Sequence, residues 1–280
     1  MSLKTVRETK RSRIRSLKEL MHLQGQVALI TGAVGKIGAV ICEALAELEA
    51  SLILLDIDKE GCTHVAQQIH DTYGVETLTL PIDLTNDAAV RSVPGLILDR
   101  FDRLDIVVNC AGLVGTSALE GWAVPFKEQS SATWRTALEV NLTAPFVLIQ
   151  ACAEFLAASG HGSVINIGSI YGLVGPDMRL YKETALGNPA AYAASKGGLL
   201  QLTRWLAAVL APEVRVNAIS LGGVWRNQPE AFHQRYVSRT PLGRMATEED
   251  LKGAIAYLAS DLSAYVTGHN LVVDGGWTAW

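Results

Sequence analysis

The chain has 280 residues, of which 49% are hydrophobic and 19% charged, with a formal net charge of -4. That size suits one α/β domain with a substantial core, and the mildly acidic balance argues against nucleic-acid binding. Cys42, Cys62, Cys110 and Cys152 show no Cys-x-x-Cys spacing, which fits free thiols in a reducing cytoplasm; the six histidines form no ligand pattern, so no metal is expected.

Residues 1–24 differ from the rest. Lys4, Arg7, Lys10, Arg11, Arg13, Arg15 and Lys18 face only Glu8 and Glu19. The segment lacks the apolar core of a secretory signal. It is read as a solvated or subunit-packing extension before a single domain over residues 25–280, with a membrane-surface or targeting role as the alternative. Leu17, Leu20, Met21 and Leu23 fit one face of a short helix. No apolar run is expected to span a membrane.

Strands are predicted near 27–31, 51–56, 77–82, 105–109, 163–168, 215–219 and 270–273. Helices are predicted near 37–49, 60–73, 86–101, 131–158, 191–210 and 248–260. Such alternation implies an α/β fold: a doubly wound parallel sheet of about seven strands with helices on both faces.

The first strand runs into Thr31-Gly-Ala-Val-Gly-Lys-Ile-Gly38, and apolar residues at helical spacing follow at Ile41, Leu45 and Leu48. A strand, a glycine turn and a helix start form a phosphate site: glycines let the backbone approach a pyrophosphate, and the helix N-terminus attracts its charge. The next strand ends in Asp56. A carboxylate there suits hydrogen bonds to ribose hydroxyls and repels a ribose phosphate, so NAD is expected over NADP. Lys36, inside the turn, is the counterweight that keeps NADP open.

Tyr192 and Lys196 stand four apart in a predicted helix, so they share a face. An ammonium beside a phenol favours the phenolate and would lower the tyrosine pKa. Such a tyrosine can exchange a proton with an alcohol or ketone near neutral pH. An isolated Tyr-x-x-x-Lys pair is common by chance; this one follows a nucleotide motif.

Together these motifs resemble the short-chain dehydrogenase/reductase family, in order from Thr31 to about Trp277. The glycine turn is similar to the family's Thr-Gly-x-x-x-Gly-x-Gly, with the middle glycine displaced to Gly35 and Lys36 in its place. Asp83 and Leu84 resemble its adenine contact, and Asn109-Cys-Ala111-Gly112 its Asn-Ala-Gly box. Asn141, Ser169, Tyr192 and Lys196 resemble its catalytic residues. Gly222 and Val224 lie in the segment resembling the one that passes the nicotinamide. Leu221 stands where the family usually has proline, and Arg226 where it often has threonine.

The resemblance implies a Rossmann fold and an NAD(P)-dependent interconversion of secondary alcohol and ketone. Thr31, Gly32, Gly35, Lys36, Ile37, Gly38, Asp56, Asp83, Leu84, Asn109, Ala111, Gly112, Tyr192, Lys196, Gly222 and Val224 would hold the cofactor. Tyr192 would move the proton, Ser169 steady the substrate oxygen, Lys196 lower the tyrosine pKa and bind ribose, and Asn141 hold a water linked to Lys196. Helices 131–158 and 191–210 would pair subunits into a homodimer or homotetramer.

The stretch between Ser169 and Tyr192 is longer than the family commonly shows. Loops at about 170–190 and 225–243 are the expected substrate walls, with Tyr181, Asn188, Trp225 and Arg226 as substrate contacts. Asp177, Arg179, Lys182 and Glu183 add polar groups, and Trp122 and Phe126 apolar ones. This composition suits a sugar, a sugar derivative or a similar polar small molecule, and so carbohydrate metabolism. The alternatives are a 3-oxoacyl-thioester reductase using NADPH, against which Asp56 speaks, and a catalytically silent dinucleotide sensor, against which the intact tetrad speaks.

Overall fold

The computed structural model describes residues 13–280; Lys4, Arg7, Glu8, Lys10 and Arg11 of the basic extension lie outside the described residues. The rest of that segment rests on the body. Ser16 caps α1 (Leu17–Met21) in a capping box with Glu19, Arg15 pairs with Asp261 at 2.5 Å, and Leu23 is fully buried.

Seven strands form one parallel sheet in the order β3-β2-β1-β4-β5-β6-β7. They are β1 (Val27–Thr31), β2 (Ser51–Asp56), β3 (Thr77–Pro81), β4 (Ile106–Asn109), β5 (Gly162–Ser169), β6 (Val214–Leu221) and β7 (Asn270–Val273). The helices after α1 are α2 (Lys36–Glu47), α3 (Lys59–Tyr73), α4 (Asp87–Arg91), α5 (Val93–Leu98), α6 (Ser131–Leu138), α7 (Ala144–Ala158), α8 (Ala190–Leu210), α9 (Glu230–Val237) and α10 (Lys252–Ala259).

The central strands are continuous apolar runs because both faces are covered. Alternate residues enter opposite layers. Ala28, Ile30, Leu52, Leu54, Ile106 and Val108 pack with Ile41 and Leu45 of α2 and Ile255 and Leu258 of α10. Val27, Leu29, Ile53, Leu55 and Val107 pack with Val90, Ile97, Leu148, Leu156 and Leu206 from the helices opposite. Chain order reverses between β1 and β4, and the loops leaving their C-terminal ends diverge there. That is where an open α/β sheet forms its crevice.

Several boundaries differ from expectation, each for a local reason. The helix expected over 86–101 is two helices that meet at Ser92, because Pro94 near the start of α5 has no N–H to return to Val90. The expected helix 131–158 contains a π-turn at Glu139–Thr143, where Pro145 likewise has no N–H to return to the Asn141 carbonyl. The 248–260 helix starts as a 3₁₀ turn at Glu248–Leu251, and loop 225–243 contains α9. The strand expected at 215–219 runs through Leu221, which pairs with Val273. The helical run Ser131–Ala158 is also long and apolar enough to cross a membrane by length and composition, contrary to expectation. Its apolar residues Val147, Leu148, Cys152 and Leu156 instead pack in the core.

Asp105, just before β4, is fully buried. It accepts the Val27 N–H at 2.8 Å and a bidentate pair from Arg103 at 2.8 and 2.6 Å, so it joins the two strands that flank the crevice. Asp105→Ala strands a buried N–H and removes two charge-assisted bonds. It should destabilise the fold by about 2 kcal/mol or more, read as a lower urea midpoint at unchanged slope.

Candidate active site

The turn after β1 leaves no room for side chains at Gly32 and Gly38. Gly32 has φ +68°, and a Cβ there would stand 2.7 Å from the Ala111 Cα. A Cβ on Gly38 would collide with the Gly32 carbonyl. Gly35 is the N-cap of α2, so Lys36 is the first helical residue: the displaced glycine caps the helix instead of sitting inside it. Thr31 lies beneath this turn, outside the cleft wall, with its hydroxyl accepting the Cys110 and Ala111 N–H groups at 3.1 Å each.

Gly32, Gly35, Lys36, Ile37 and Gly38 line one cleft of about 730 Å³ with Asp56, Asp83, Leu84, Ala111, Gly112, Gly222 and Val224. Asp56 accepts the Val34 and Asp58 N–H groups at 3.2 Å. Asp83 accepts from the Thr85 backbone and hydroxyl at 2.9 and 2.8 Å. Asn109, like Thr31, supports the wall from behind: it is buried and donates to Asn166 at 2.8 Å. The glycine-lined turn, bare helix start and nearby carboxylate fit a dinucleotide.

The cleft continues to Ser169, Tyr192 and Lys196. Ser169 ends β5, and α8 carries the other two on one face. Lys196 is 4% exposed; its ammonium donates to the Ile167 carbonyl at 2.7 Å and stands 6.0 Å from the centre of the Tyr192 ring. Burial lowers its pKa to about 8. Burial also raises the Tyr192 pKa, with the Ser169 hydroxyl opposing this by hydrogen-bonding the phenol. The expected lowering of Tyr192 by Lys196 therefore does not appear in this structure: desolvation of the phenolate dominates.

Asn141 sits in the π-turn with its side chain fully engaged. Its Oδ1 accepts the Leu113 N–H at 2.7 Å, and its Nδ2 donates to the Leu113 carbonyl at 3.0 Å and the Ser195 hydroxyl at 3.0 Å. The side chain thus clamps the loop after β4 to α8.

A profile of the family described as "Enoyl-(Acyl carrier protein) reductase" matches residues 32–278. The chain is 33% identical to "Cis-4-hydroxycyclohexanecarboxylate dehydrogenase" of Sinomonas cyclohexanicum over 259 residues, 91% of this chain and 97% of that one. The chain is a short-chain dehydrogenase/reductase. A short-chain dehydrogenase from Leptospira borgpetersenii with bound NAD+ superposes with a TM-score of 0.79 at 32% identity, covering 95% of this chain and 97% of that one. A gluconate 5-dehydrogenase from Burkholderia cenocepacia in complex with NADP and tartrate gives 0.82 at 30%, covering 94% and 99%. The protein is an oxidoreductase acting on CH–OH groups with a nicotinamide dinucleotide.

The substrate end of this dehydrogenase/reductase is less polar than expected. Tyr181, Asn188 and Arg226 line the cleft. Trp225 does not: it packs on His233 with ring centres 4.4 Å apart. Trp122 is core, its indole N–H bonded to the Val114 carbonyl at 2.7 Å, and Phe126 is 80% exposed, away from the cleft. Asp177, Arg179, Lys182 and Glu183 also lie outside the cleft wall. Asp177 is held by Arg179 and Arg239, whose guanidinium groups keep its carboxyl below the usual range.

The wall also includes Tyr171, Leu186, Phe232, Tyr236 and Met245; the first four lie in the two loops read as substrate walls, but none was singled out from the sequence. The usable signal was the four-residue spacing of Phe232 and Tyr236, which is helical. Cys110 also lines the cleft, its thiol pushed up to about 12 by burial. Among the described residues, no group of His, Cys, Asp or Glu is arranged to hold a metal.

Burial of Lys196 has a sign in stability. Below about pH 8 both folded and unfolded chains hold its proton, and the folded state carries the whole cost of the buried ammonium. Between about 8 and the ordinary value of 10.5 the unfolded chain binds more protons, so stability rises with pH. Relative to Lys196→Met, the wild type should gain stability across that window in denaturant titrations; a constant difference would contradict the buried ammonium.

Proposed function

We propose that the enzyme oxidises a secondary alcohol on a compact, hydroxylated metabolite, such as a sugar, a sugar derivative or a similar polar ring, with NAD as the preferred cofactor. The reading is carried by one observation. Ser169, Tyr192 and Lys196 share a single cleft with the glycine turn and Asp56.

The bound dinucleotide supplies the hydride acceptor or donor. Ser169 holds the reacting oxygen and steadies charge on it. Tyr192 takes the hydroxyl proton during oxidation and returns it during reduction. Its phenolate needs help against burial. The Ser169 hydroxyl gives part of it. Lys196 holds the ribose next to the nicotinamide. Asn141 keeps the loop after β4 and the start of α8 in register by its bonds to Leu113 and Ser195.

The glycine turn, Lys36, Asp83, Leu84, Ala111, Gly112, Gly222 and Val224 hold the rest of the dinucleotide. Asp56 favours ribose hydroxyls over a ribose phosphate, which supports NAD. Beside 3-oxoacyl-[acyl-carrier-protein] reductases at 30 and 33% identity, the names of the relatives include small hydroxylated substrates, a hydroxycyclohexanecarboxylate and gluconate. Arg226, in the cleft wall 3.7 Å from Glu248, is the cation placed for such a carboxylate. Trp134 of α6 and Trp205 and Val209 of α8 are partly exposed apolar residues that support pairing of these helices in a homodimer or homotetramer. Free cysteines support a cytoplasmic setting.

Absorbance at 340 nm across sugars, sugar acids, cyclic polyols and acyl thioesters, with each dinucleotide in both directions, tests the reading. Tyr192→Phe should lower kcat at least about 100-fold with cofactor binding retained. Turnover of acyl thioesters alone would refute the proposed substrate class. Asp56→Ala should shift the NAD/NADP ratio of kcat/KM towards NADP by roughly tenfold, the size of one such contact; an unchanged ratio would show that another residue sets the preference.

A further inference from the structure

Gly222 and Val224 lie in a segment that departs from the family at one position. Leu221 stands where proline is usual, so the fixed φ that proline confers is missing. β6 runs on through Leu221 and is followed by two glycines, Gly222 and Gly223, the residue type with most backbone freedom to lose. Neither can carry a side chain here. A Cβ on Gly222 would stand 2.8 Å from the Asp274 Cα, and one on Gly223 would stand 2.8 Å from the Tyr236 Cζ. The order of this segment therefore has to come from its surroundings.

It comes from hydrogen bonds. The Gly222 N–H donates to the Val273 carbonyl at 2.9 Å, and the Trp225 N–H to the Ala246 carbonyl at 2.8 Å. The Ala246 N–H donates back to the Gly223 carbonyl at 3.0 Å, so Val224 and Ala246 form an isolated bridge. The Gly223 N–H donates to the Tyr236 hydroxyl at 2.5 Å. Tyr236 is thus the one side chain among partners that are otherwise backbone. The direction of its bond is fixed, because a backbone N–H can only donate.

Tyr236 is itself held firmly. It is buried in α9, with its ring stacked on Phe232 and on Trp277 at 5.9 Å between centres in each case. The Arg239 guanidinium lies 5.0 Å from the centre of the Trp277 ring and pairs with Asp177 in the long segment between Ser169 and Tyr192. Burial pushes the Tyr236 phenol up to about 12, so near neutral pH it stays an uncharged hydroxyl. Tyr236 also lines the cleft. One residue therefore belongs to the substrate wall and grips the segment that contains Gly222 and Val224.

We infer that Tyr236 is a positioning residue for hydride transfer: by accepting the Gly223 N–H it fixes the segment beside the nicotinamide, the part that proline plays elsewhere in the family. The inference rests on the proposed function, in which Gly222 and Val224 hold the nicotinamide end of the dinucleotide. Tyr236 acts through Gly223 and not on the reacting atoms. Its effect on rate is steep because a small misplacement of one reactant lowers the fraction of productive encounters.

The test compares the full-length enzyme with Tyr236→Phe, which keeps the ring and loses the acceptor. Binding of NADH, of NADPH and of ADP-ribose is measured; ADP-ribose carries the adenosine and pyrophosphate but no nicotinamide. Retained ADP-ribose binding shows that the variant is folded. The expected result is an ADP-ribose affinity within about twofold of wild type and a reduced-dinucleotide affinity lowered about fivefold, the size of one hydrogen bond. The fluorescence anisotropy of the bound nicotinamide should fall as well. With a substrate from the 340 nm panel, kcat should drop at least about tenfold at nearly unchanged KM, since the ring remains in the wall. Equal weakening of ADP-ribose and the reduced dinucleotides, or unchanged dinucleotide affinity, anisotropy and kcat, would overturn the inference. A selective loss of nicotinamide affinity in Tyr236→Phe beside full turnover in Tyr192→Phe would keep it and count against the proposed function. Loss of turnover in Tyr192→Phe with no change in Tyr236→Phe would do the reverse.

Discussion

The site depends on how closely two loops meet where the sheet reverses. Gly32 stands against Ala111 with no space for a side chain, and the Thr31 hydroxyl accepts two N–H groups from the loop after β4. These contacts close the floor of the crevice between β1 and β4. Everything the enzyme needs lies along that floor: the bare start of α2 and Asp56 at one end, and the segment leading to Ser169, Tyr192 and Lys196 at the other. Asp105 ties the same two strands at their opposite ends, so the crevice is braced at both ends of the strand pair.

A second tension lies in the electrostatics of the reacting end. Burial that shields the reaction from water also disfavours every charge the reaction needs. It raises the Tyr192 pKa and lowers that of Lys196 to about 8. The two shifts move the groups apart in proton affinity, so the phenol holds its proton more tightly than the ammonium does. The Ser169 hydroxyl, which hydrogen-bonds the phenol, and the Ile167 carbonyl, which accepts from the ammonium, partly offset the loss of water. Asn141 acts through packing: its amide joins Leu113 to Ser195, and the π-turn that aims it there follows from Pro145, which lacks an N–H.

Much of this was legible in the sequence, and the parts that were not share a cause. The strands were readable as short apolar runs, and the alternation of strand and helix gave the doubly wound sheet. The glycine turn, Asp56 and the Tyr192–Lys196 spacing were readable because each is a local pattern with a local physical reason. The substrate wall was legible only in part, at Tyr181, Asn188 and Arg226, which line the cleft. Trp122 and Trp225 looked like wall residues by type, but one is needed in the core and the other stacks on His233. The charged residues of the 177–188 segment looked like substrate contacts, but Asp177 is occupied by Arg179 of its own segment and by Arg239 from the second loop. Whether a side chain faces a ligand or a neighbour is a tertiary property, and no spacing along one element encodes it. The basic extension is legible only as composition over its first dozen residues.

A crystal structure of the enzyme with NADH bound would test the central claim, that one cleft aligns the dinucleotide with Tyr192. The account predicts the adenosine ribose at Asp56, the pyrophosphate at the Gly32–Gly38 turn, and the nicotinamide beside Gly222 and Val224. The reactive ring carbon would then lie within a few ångströms, roughly 3–4 Å, of the place where Ser169 and Tyr192 hold the substrate oxygen's carbon. A dinucleotide bound in the opposite direction, or with its nicotinamide away from Tyr192, would contradict it.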